Sequence, residues 1–145
     1  MKKGLVARDV MRRTVVIVSQ DADVWEIARL FTTNNVTEAP VVDAAGTLLG
    51  VVSQTDIVRH LREVIESCQR SAEFYADAEP DVGKAMRKRI TAADLISDPP
   101  IEADEDTPVV RLSQMMLARG IHRIIISRDA KVRGVVTMMD LLKVL

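Results

Sequence analysis

Two carboxylates follow a hydroxyl residue by three positions, at matching places in the two halves of the chain. Ser53 precedes Asp56 in the stretch GVVSQTD, and Thr137 precedes Asp140 in the stretch GVVTMMD. Each stretch leads from β-forming into helix-forming sequence, and a helix N-terminus favours an anion such as a phosphate. A carboxylate offers two acceptor oxygens to the two donors of a cis-diol, so the pattern predicts binding of a ribose and its phosphate.

The same spacing also has a structural explanation that needs no ligand. Ser-x-x-Asp or Thr-x-x-Asp at a helix start resembles a capping box, in which the side chains satisfy free backbone N–H groups. A single instance favours the cap, whereas repetition behind the same Gly-Val-Val favours binding. The two roles can coexist, and one of the two sites can keep the cap and bind nothing.

The two stretches belong to a longer internal repeat. Residues 7–11 (ARDVM) align with residues 92–96 (AADLI) at an offset of 85, whereas the two Gly-Val-Val stretches align at an offset of 84. The change of offset means that the second unit is one residue shorter between these two places. We expect the missing residue at a hairpin turn, because Asp43 to Thr47 has a shorter counterpart around Asp129. We therefore predict a first unit at residues 1–68, a partly helical linker at 69–90 and a second unit at 91–145.

Each unit is predicted to run strand, helix, strand, turn, strand, helix. In the first unit the β-branched segment Thr14 to Val18 is the predicted first strand, and the first helix begins near Val24 and ends at Asn34-Asn35. Strands Ala39 to Val42 and Leu48 to Val52 flank the turn. The second helix carries an apolar stripe made of Ile57, Leu61, Val64, Ile65 and Cys68. A unit of about 60 residues buries little surface alone, so we expect the two to pack together.

Composition narrows the function classes. A net charge of −1 argues against nucleic acid as a partner, and an aromatic content of 3% requires an aliphatic core. No signal peptide and no apolar run of about 20 residues is visible, so we expect a cytoplasmic protein without a membrane span. Two histidines and one cysteine argue against a zinc site. The sequence contains neither the P-loop nor the Gly-x-Ser-x-Gly elbow that would indicate an enzyme. We therefore predict no catalytic and no metal-binding residue. The basic run Lys84 to Arg89 is interpreted as a solvated face, with a patch for a nucleic acid or an acidic partner, or a contact with ligand phosphates, as alternatives.

Units of this order that end in Gly-h-x-[Ser/Thr]-x-x-Asp, where h is an apolar residue, resemble CBS motifs. The resemblance covers about Val6 to His60 and Thr91 to Leu145, and two such motifs form a Bateman module. It implies an α/β (α+β) fold of two pseudo-symmetric β-α-β-β-α motifs packed sheet to sheet. It also implies a regulatory module without catalytic activity that binds AMP, ADP, ATP or S-adenosylmethionine, needs no cofactor and leaves accompaniment by Mg²⁺ open.

The resemblance assigns roles to particular side chains. Asp56 and Asp140 would hold the ribose, and Ser53 and Thr137 would lie near the phosphates. The adenine would lie against the first strand and the start of the second strand in each unit, in a slot formed by Val15, Val16, Ala39 and Pro40 and by Pro100, Ile101, Ile124 and Ile125.

Charged residues near the predicted phosphates differ between the units. His122 and Arg123 stand where the family frequently carries His-Arg, and both are assigned to the phosphates, with a structural role for His122 as the alternative. Glu38 occupies the equivalent place in the first unit and would repel phosphates. Arg12 either restores the positive charge or is solvated, so we expect the two sites to be unequal.

The resemblance also implies partners. Family modules commonly pair into homodimers through their helices, and the stripe on the second helix would suit such an interface. No effector domain is recognised, so a regulated protein of unknown identity would be acted on in trans. The alternative function is a structural dimerisation scaffold with vestigial nucleotide sites.

Overall fold

The computed structural model of the protein describes residues 4–74, 90–96 and 99–145. The first unit contains α1 (Ala7–Val10), β1 (Val18–Ser19), α2 (Val24–Asn34), β2 (Glu38–Val42), β3 (Leu48–Ser53) and α3 (Gln54–Phe74). The second unit contains α4 (Ala92–Leu95), β4 (Glu102–Asp104), α5 (Val109–Arg119), β5 (Arg123–Arg128), β6 (Lys131–Thr137) and α6 (Met138–Leu142).

The two units have the same sheet topology. The strand orders are β1-β2-β3 and β4-β5-β6, and in each sheet the first pair is parallel and the second antiparallel. The antiparallel pair in each unit carries a register shift at the same place, between Val41 and Val42 and between Ile126 and Ser127. The predicted fold class, a pair of equivalent α/β units, is thereby confirmed.

The ends of α2 and α5 follow from local sequence. The carboxylate of Asp23 accepts a hydrogen bond from the backbone N–H of Glu26 at 2.9 Å and so caps α2. Asn35 ends α2 in the left-handed region, with φ of 51°, as the Asn-Asn pair predicted. Gly120 has the same conformation at the equivalent end of α5, where a residue without a side chain fits this φ at no steric cost.

The predicted first strand, Thr14 to Val18, was wrong in extent, because β1 comprises only Val18 and Ser19. The neighbouring strand accounts for one residue of the difference, since β1 begins one position later than its counterpart β4. In the second unit Ile125 donates its N–H to the carbonyl of Ile101 at 3.4 Å. Pro40 stands at the equivalent position in the first unit and has no N–H, so it cannot form the equivalent bond with Val16.

The leading helices are exchanged between the units. Ala7 and Met11, from the start of the first unit, belong to the core cluster of the second unit, and Ala92 belongs to the core cluster of the first. Backbone hydrogen bonds hold both crossings, since Ala7 donates to Thr107 at 2.8 Å and Ala92 donates to Ala22 at 2.8 Å. Each unit therefore completes its core with a segment of the other.

The glycines of the two Gly-Val-Val stretches serve this exchange. A Cβ on Gly134 would lie 2.7 Å from the carbonyl oxygen of Arg12 and 2.9 Å from the sulfur of Met11. A Cβ on Gly50 would lie 3.2 Å from the Ile96 side chain. The close approach that these glycines permit is thus made by the exchanged segments.

Helix α3 continues to Phe74, beyond the unit boundary that we placed at residue 68. The remainder of the predicted linker up to residue 89, including the basic run Lys84 to Arg89, lies outside the described residues. None of the helices in the described parts of the chain is long and apolar enough to cross a membrane.

Candidate functional site

A cleft of about 710 Å³ lies between the two units, and both contribute to its wall. Thirteen of the fifteen predicted site residues line it: Arg12, Val15, Val16, Ala39, Pro40, Ser53, Asp56, Pro100, Ile101, His122, Arg123, Ile125 and Thr137. The two that do not are Asp140 and Ile124. Residues separated by more than 80 positions in the sequence thus meet around one cavity.

The hydroxyl and the carboxylate at the start of α3 form a complete capping box. Asp56 Oδ2 accepts hydrogen bonds from the backbone N–H of Ser53 at 2.8 Å and from its hydroxyl at 2.9 Å. Asp56 Oδ1 accepts from Nη1 of Arg59 at 3.2 Å. The side chain of Asp56 is 14% exposed and faces the cleft, so Oδ1 is the oxygen that a ligand can share with Arg59.

The equivalent box at the start of α6 has the same internal geometry but a different neighbour. Asp140 Oδ2 accepts from the backbone N–H of Thr137 at 2.9 Å and from its hydroxyl at 2.8 Å. Oδ1 accepts from Nε of Arg12, a residue of the first unit, at 3.1 Å. Asp140 is 6% exposed beneath an arginine that is 57% exposed, so Arg12 stands between this carboxylate and the cleft.

The pKa of Asp140 reflects these contacts. Burial alone would raise it, but the hydrogen bonds from Thr137 and the guanidinium of Arg12 outweigh burial and hold the pKa below its usual value. Asp140 is therefore ionised at neutral pH. A carboxylate in this state can accept hydrogen bonds from hydroxyl groups with either oxygen.

Glu38 and Arg123 form an ion pair across the two units, with 3.0 Å between Arg123 Nε and Glu38 Oε1. Both side chains line the cleft. The glutamate that was expected to repel phosphates is thus neutralised by an arginine that was assigned to bind them. His122 lies beside Arg123, is exposed and also lines the cleft.

Ile124 lies in a core, away from the slot where we placed it. It is fully buried in the core cluster of the second unit, while its neighbour Ile125 lines the cleft. Successive residues of a strand point to opposite faces, and the run Ile124 to Ile126 hides this alternation. The rest of the predicted slot consists of half-buried Val15, Val16, Pro100 and Ile101 and of buried Ala39 and Pro40.

Several residues of the wall were not predicted, and Arg59 is the most consequential. It lies three positions after Asp56 on α3, a spacing that places two side chains on one helix face and was available in the sequence. Thr14, Thr37 and Thr55 add hydroxyl groups to the wall. In the part of the chain that the structure describes, no group of three or more His, Cys, Asp or Glu residues could hold a metal ion.

A comparison with models of known protein families identifies the family to which the two units belong. The model of the CBS domain matches residues 7–63 and again residues 92–145, which together are most of the chain. The chain belongs to the CBS domain family. The two matches coincide with the two units, so the CBS pair that the sequence suggested is confirmed.

Other CBS proteins are similar over most of the chain. An uncharacterized protein of Methanocaldococcus jannaschii is 24% identical over 97% of this chain and 91% of its own length. Two longer relatives from that organism are spanned by this chain over only 30% and 42% of their lengths. The CBS domain of a CBS domain-containing membrane protein from Sphaerobacter thermophilus has 29% identity and a TM-score of 0.72, covering 97% of this chain and 88% of that one.

Two further CBS pairs with the same fold were crystallised with adenosyl ligands. The complex of CBSX2 with AMP has 22% identity and a TM-score of 0.73, over 97% of this chain and 96% of that one. A CBS domain pair in complex with 5′-methylthioadenosine and S-adenosylmethionine has 20% identity and a TM-score of 0.69, over 97% and 94% of the two chains. Adenosyl ligands are therefore bound by CBS pairs of this architecture.

Proposed function

We propose that this CBS pair is a regulatory module that binds an adenosine-based ligand, AMP, ADP, ATP or S-adenosylmethionine, in the cleft between its units. The ligand would shift the two units relative to each other, and a separate partner protein would respond. The observation that carries the proposal is a cleft lined by Asp56, by apolar residues and by Arg12, the guanidinium of which covers the ionised carboxylate of Asp140. The adenosyl ligands of two structural neighbours support it.

In this proposal the ribose hydroxyls bind at the carboxylates. Asp56 has one oxygen in its capping box and shares the other with Arg59, so a hydroxyl can join Oδ1 from the cleft side. At Asp140 the ribose must first displace Arg12, whose guanidinium is then free to bind a phosphate of the same ligand. The adenine would occupy the apolar slot to which Val16 contributes in the first unit or the one to which Ile125 contributes in the second, and the hydroxyls of Ser53 and Thr137 would face the phosphates. No catalytic step is assigned to any of these residues.

The decisive experiment is calorimetric titration of the protein with AMP, with GMP as the control for the base. Asp56→Asn and Asp140→Asn keep an acceptor oxygen for the cap but remove the charge. Asp140→Asn is expected to weaken AMP binding about tenfold, and Asp56→Asn is expected to weaken the binding of uncharged adenosine about tenfold. The matched control is Asp94→Asn. Asp94 forms the same box with Thr91, at 2.9 and 3.0 Å, but lies outside the cleft, so AMP affinity should stay within about twofold.

The outcomes separate the proposal from its alternative. A saturating ligand at 100 times its Kd adds about 2.7 kcal/mol to the free energy of unfolding, which thermal denaturation detects. If no adenosine compound binds, or if Asp94→Asn weakens AMP binding as much as Asp140→Asn does, the proposed site is wrong.

A second candidate is a structural dimerisation scaffold, and two observations favour it. Both boxes satisfy their backbone N–H groups without a ligand. Helix α3 also exposes apolar side chains, with Val58 63% exposed and Leu61 and Ile65 each 36% exposed. Sedimentation of the wild type and of Leu61→Glu tests the scaffold: a homodimer that dissociates in the variant, together with no ligand response, would support it.

A further inference from the structure

Glu38 and Arg123 occupy equivalent positions in the two repeats. Each is the first residue of the middle strand of its sheet, and the two meet across the cleft with 3.0 Å between Nε and Oε1. Their side chains are 34% and 41% exposed, so a ligand in the cleft can reach either one. A symmetric repeat would carry like charges at these two places, and this chain carries opposite charges.

The ion pair joins two half-sites, each centred on one capping box. Glu38 is the strand partner of Ser53, and Arg123 is the strand partner of Thr137. The first half-site is formed by Ser53, Asp56, Arg59 and Glu38. The second half-site is formed by Thr137, Asp140, Arg12 and Arg123.

The two half-sites carry opposite net charges, counted over these described residues. The first has two carboxylates and one guanidinium, which gives −1. The second has one carboxylate and two guanidinium groups, which gives +1. A phosphate is attracted to the second half-site and repelled from the first, and the low-dielectric walls of the cleft strengthen both effects.

We propose that the cleft binds a single phosphorylated adenosine ligand per chain, in the second half-site, and that Glu38 excludes another from the first. This inference rests on the proposed function. A phosphate at the second half-site takes Arg123 away from Glu38, because the guanidinium is attracted more strongly to a phosphate dianion than to a single carboxylate. The released Glu38 adds its unpaired charge beside Asp56, so binding of the first phosphate makes a second one less favourable. The first half-site is left for an adenosyl ligand whose substituent is neutral or cationic.

Titration calorimetry with AMP and with uncharged adenosine tests this inference. The wild type should bind one AMP per chain. Glu38→Gln removes the charge but keeps the size, and it should permit a second AMP, with affinity at the first half-site rising about tenfold. Arg123→Gln should weaken AMP binding about tenfold and change adenosine binding less than about twofold.

The control is Glu26→Gln, which removes the same charge from an exposed position on α2 outside the cleft and should leave the AMP stoichiometry at one. Two equivalent AMP molecules bound to the wild type, or an unchanged stoichiometry and affinity in Glu38→Gln, would overturn the inference while leaving the proposed function intact. Failure of both AMP and adenosine to bind any variant would overturn both.

Discussion

Replacement of Gly134 by alanine tests the exchange of segments between the two units. The new Cβ would lie 2.7 Å from the carbonyl oxygen of Arg12, which accepts a hydrogen bond from the N–H of Val135 at 3.0 Å. The N–H of Arg12 in turn donates to the carbonyl oxygen of Val135 at 2.9 Å. The exchanged chain must retreat by several tenths of an ångström and stretch these bonds. Overpacking of this kind costs about 1–3 kcal/mol, and weakened backbone hydrogen bonds add about 0.5–1.5 kcal/mol each.

The expected net loss for Gly134→Ala is therefore about 1–5.5 kcal/mol, centred on about 3 kcal/mol, after about 0.4–1 kcal/mol is regained from the stiffer unfolded chain. Gly50→Ala is the matched variant in the other repeat. Its Cβ meets only the side chain of Ile96, at 3.2 to 3.4 Å, which can rotate away, so its effect should stay within about 1 kcal/mol. Urea denaturation followed by circular dichroism measures both values. Equal effects in the two variants, or a Gly134→Ala protein as stable as the wild type, would refute the exchanged-segment explanation for these glycines.

Further predictions concern stability. Because its folded-state pKa is depressed, Asp140 stabilises the fold above about pH 4 and loses that contribution as the pH falls further. The difference in the free energy of unfolding between the wild type and Asp140→Asn should therefore become smaller in acid, which urea denaturation from about pH 7 to about pH 3 measures. Leu112→Ala should cost about 2–5 kcal/mol because this side chain is fully buried, whereas Leu117→Ala, 82% exposed on the same helix, should cost less than about 0.5 kcal/mol in the same assay. Arg128 contacts the carboxylates of Asp104 at 3.1 Å, Glu105 at 3.4 Å and Asp106 at 2.5 Å on the surface, so Arg128→Ala should lower the melting temperature slightly, and thermal melts in high salt should show a smaller difference still.

The repeat made the architecture accessible from the sequence. The pairs Ser53 with Asp56 and Thr137 with Asp140 lie at strand-to-helix junctions as predicted, because the same local pattern occurs twice and each copy supports the other. One residue of the shortfall of β1 was missed because Pro40, more than 20 residues away, removes the hydrogen-bond donor that would extend the strand by one position. That influence belongs to strand pairing, which a local pattern of β-branched residues does not reveal.

The charges of the site were less predictable than its backbone. Arg12 was assigned to phosphates from its type, but its contact with Asp140 depends on the first segment crossing to the other unit, 128 positions away in sequence. The pairing of Glu38 with Arg123 likewise requires the two repeats to face each other. Ile124 was misplaced because three consecutive isoleucines conceal which faces inward. The contacts of Arg12 and of Glu38 share one cause, since each depends on how the repeats meet, whereas the place of Ile124 follows from the alternation of side chains along a strand.

The crossing of the leading helices has a consequence for how such a molecule assembles. A fragment that ended before residue 90 would keep α1 but lack α4, the helix that supplies Ala92 to its core. It would therefore expose the apolar surface that the missing helix covers, and the complementary fragment would expose the equivalent surface. Two fragments made separately should find each other and fold on contact, because each supplies the helix that the other lacks.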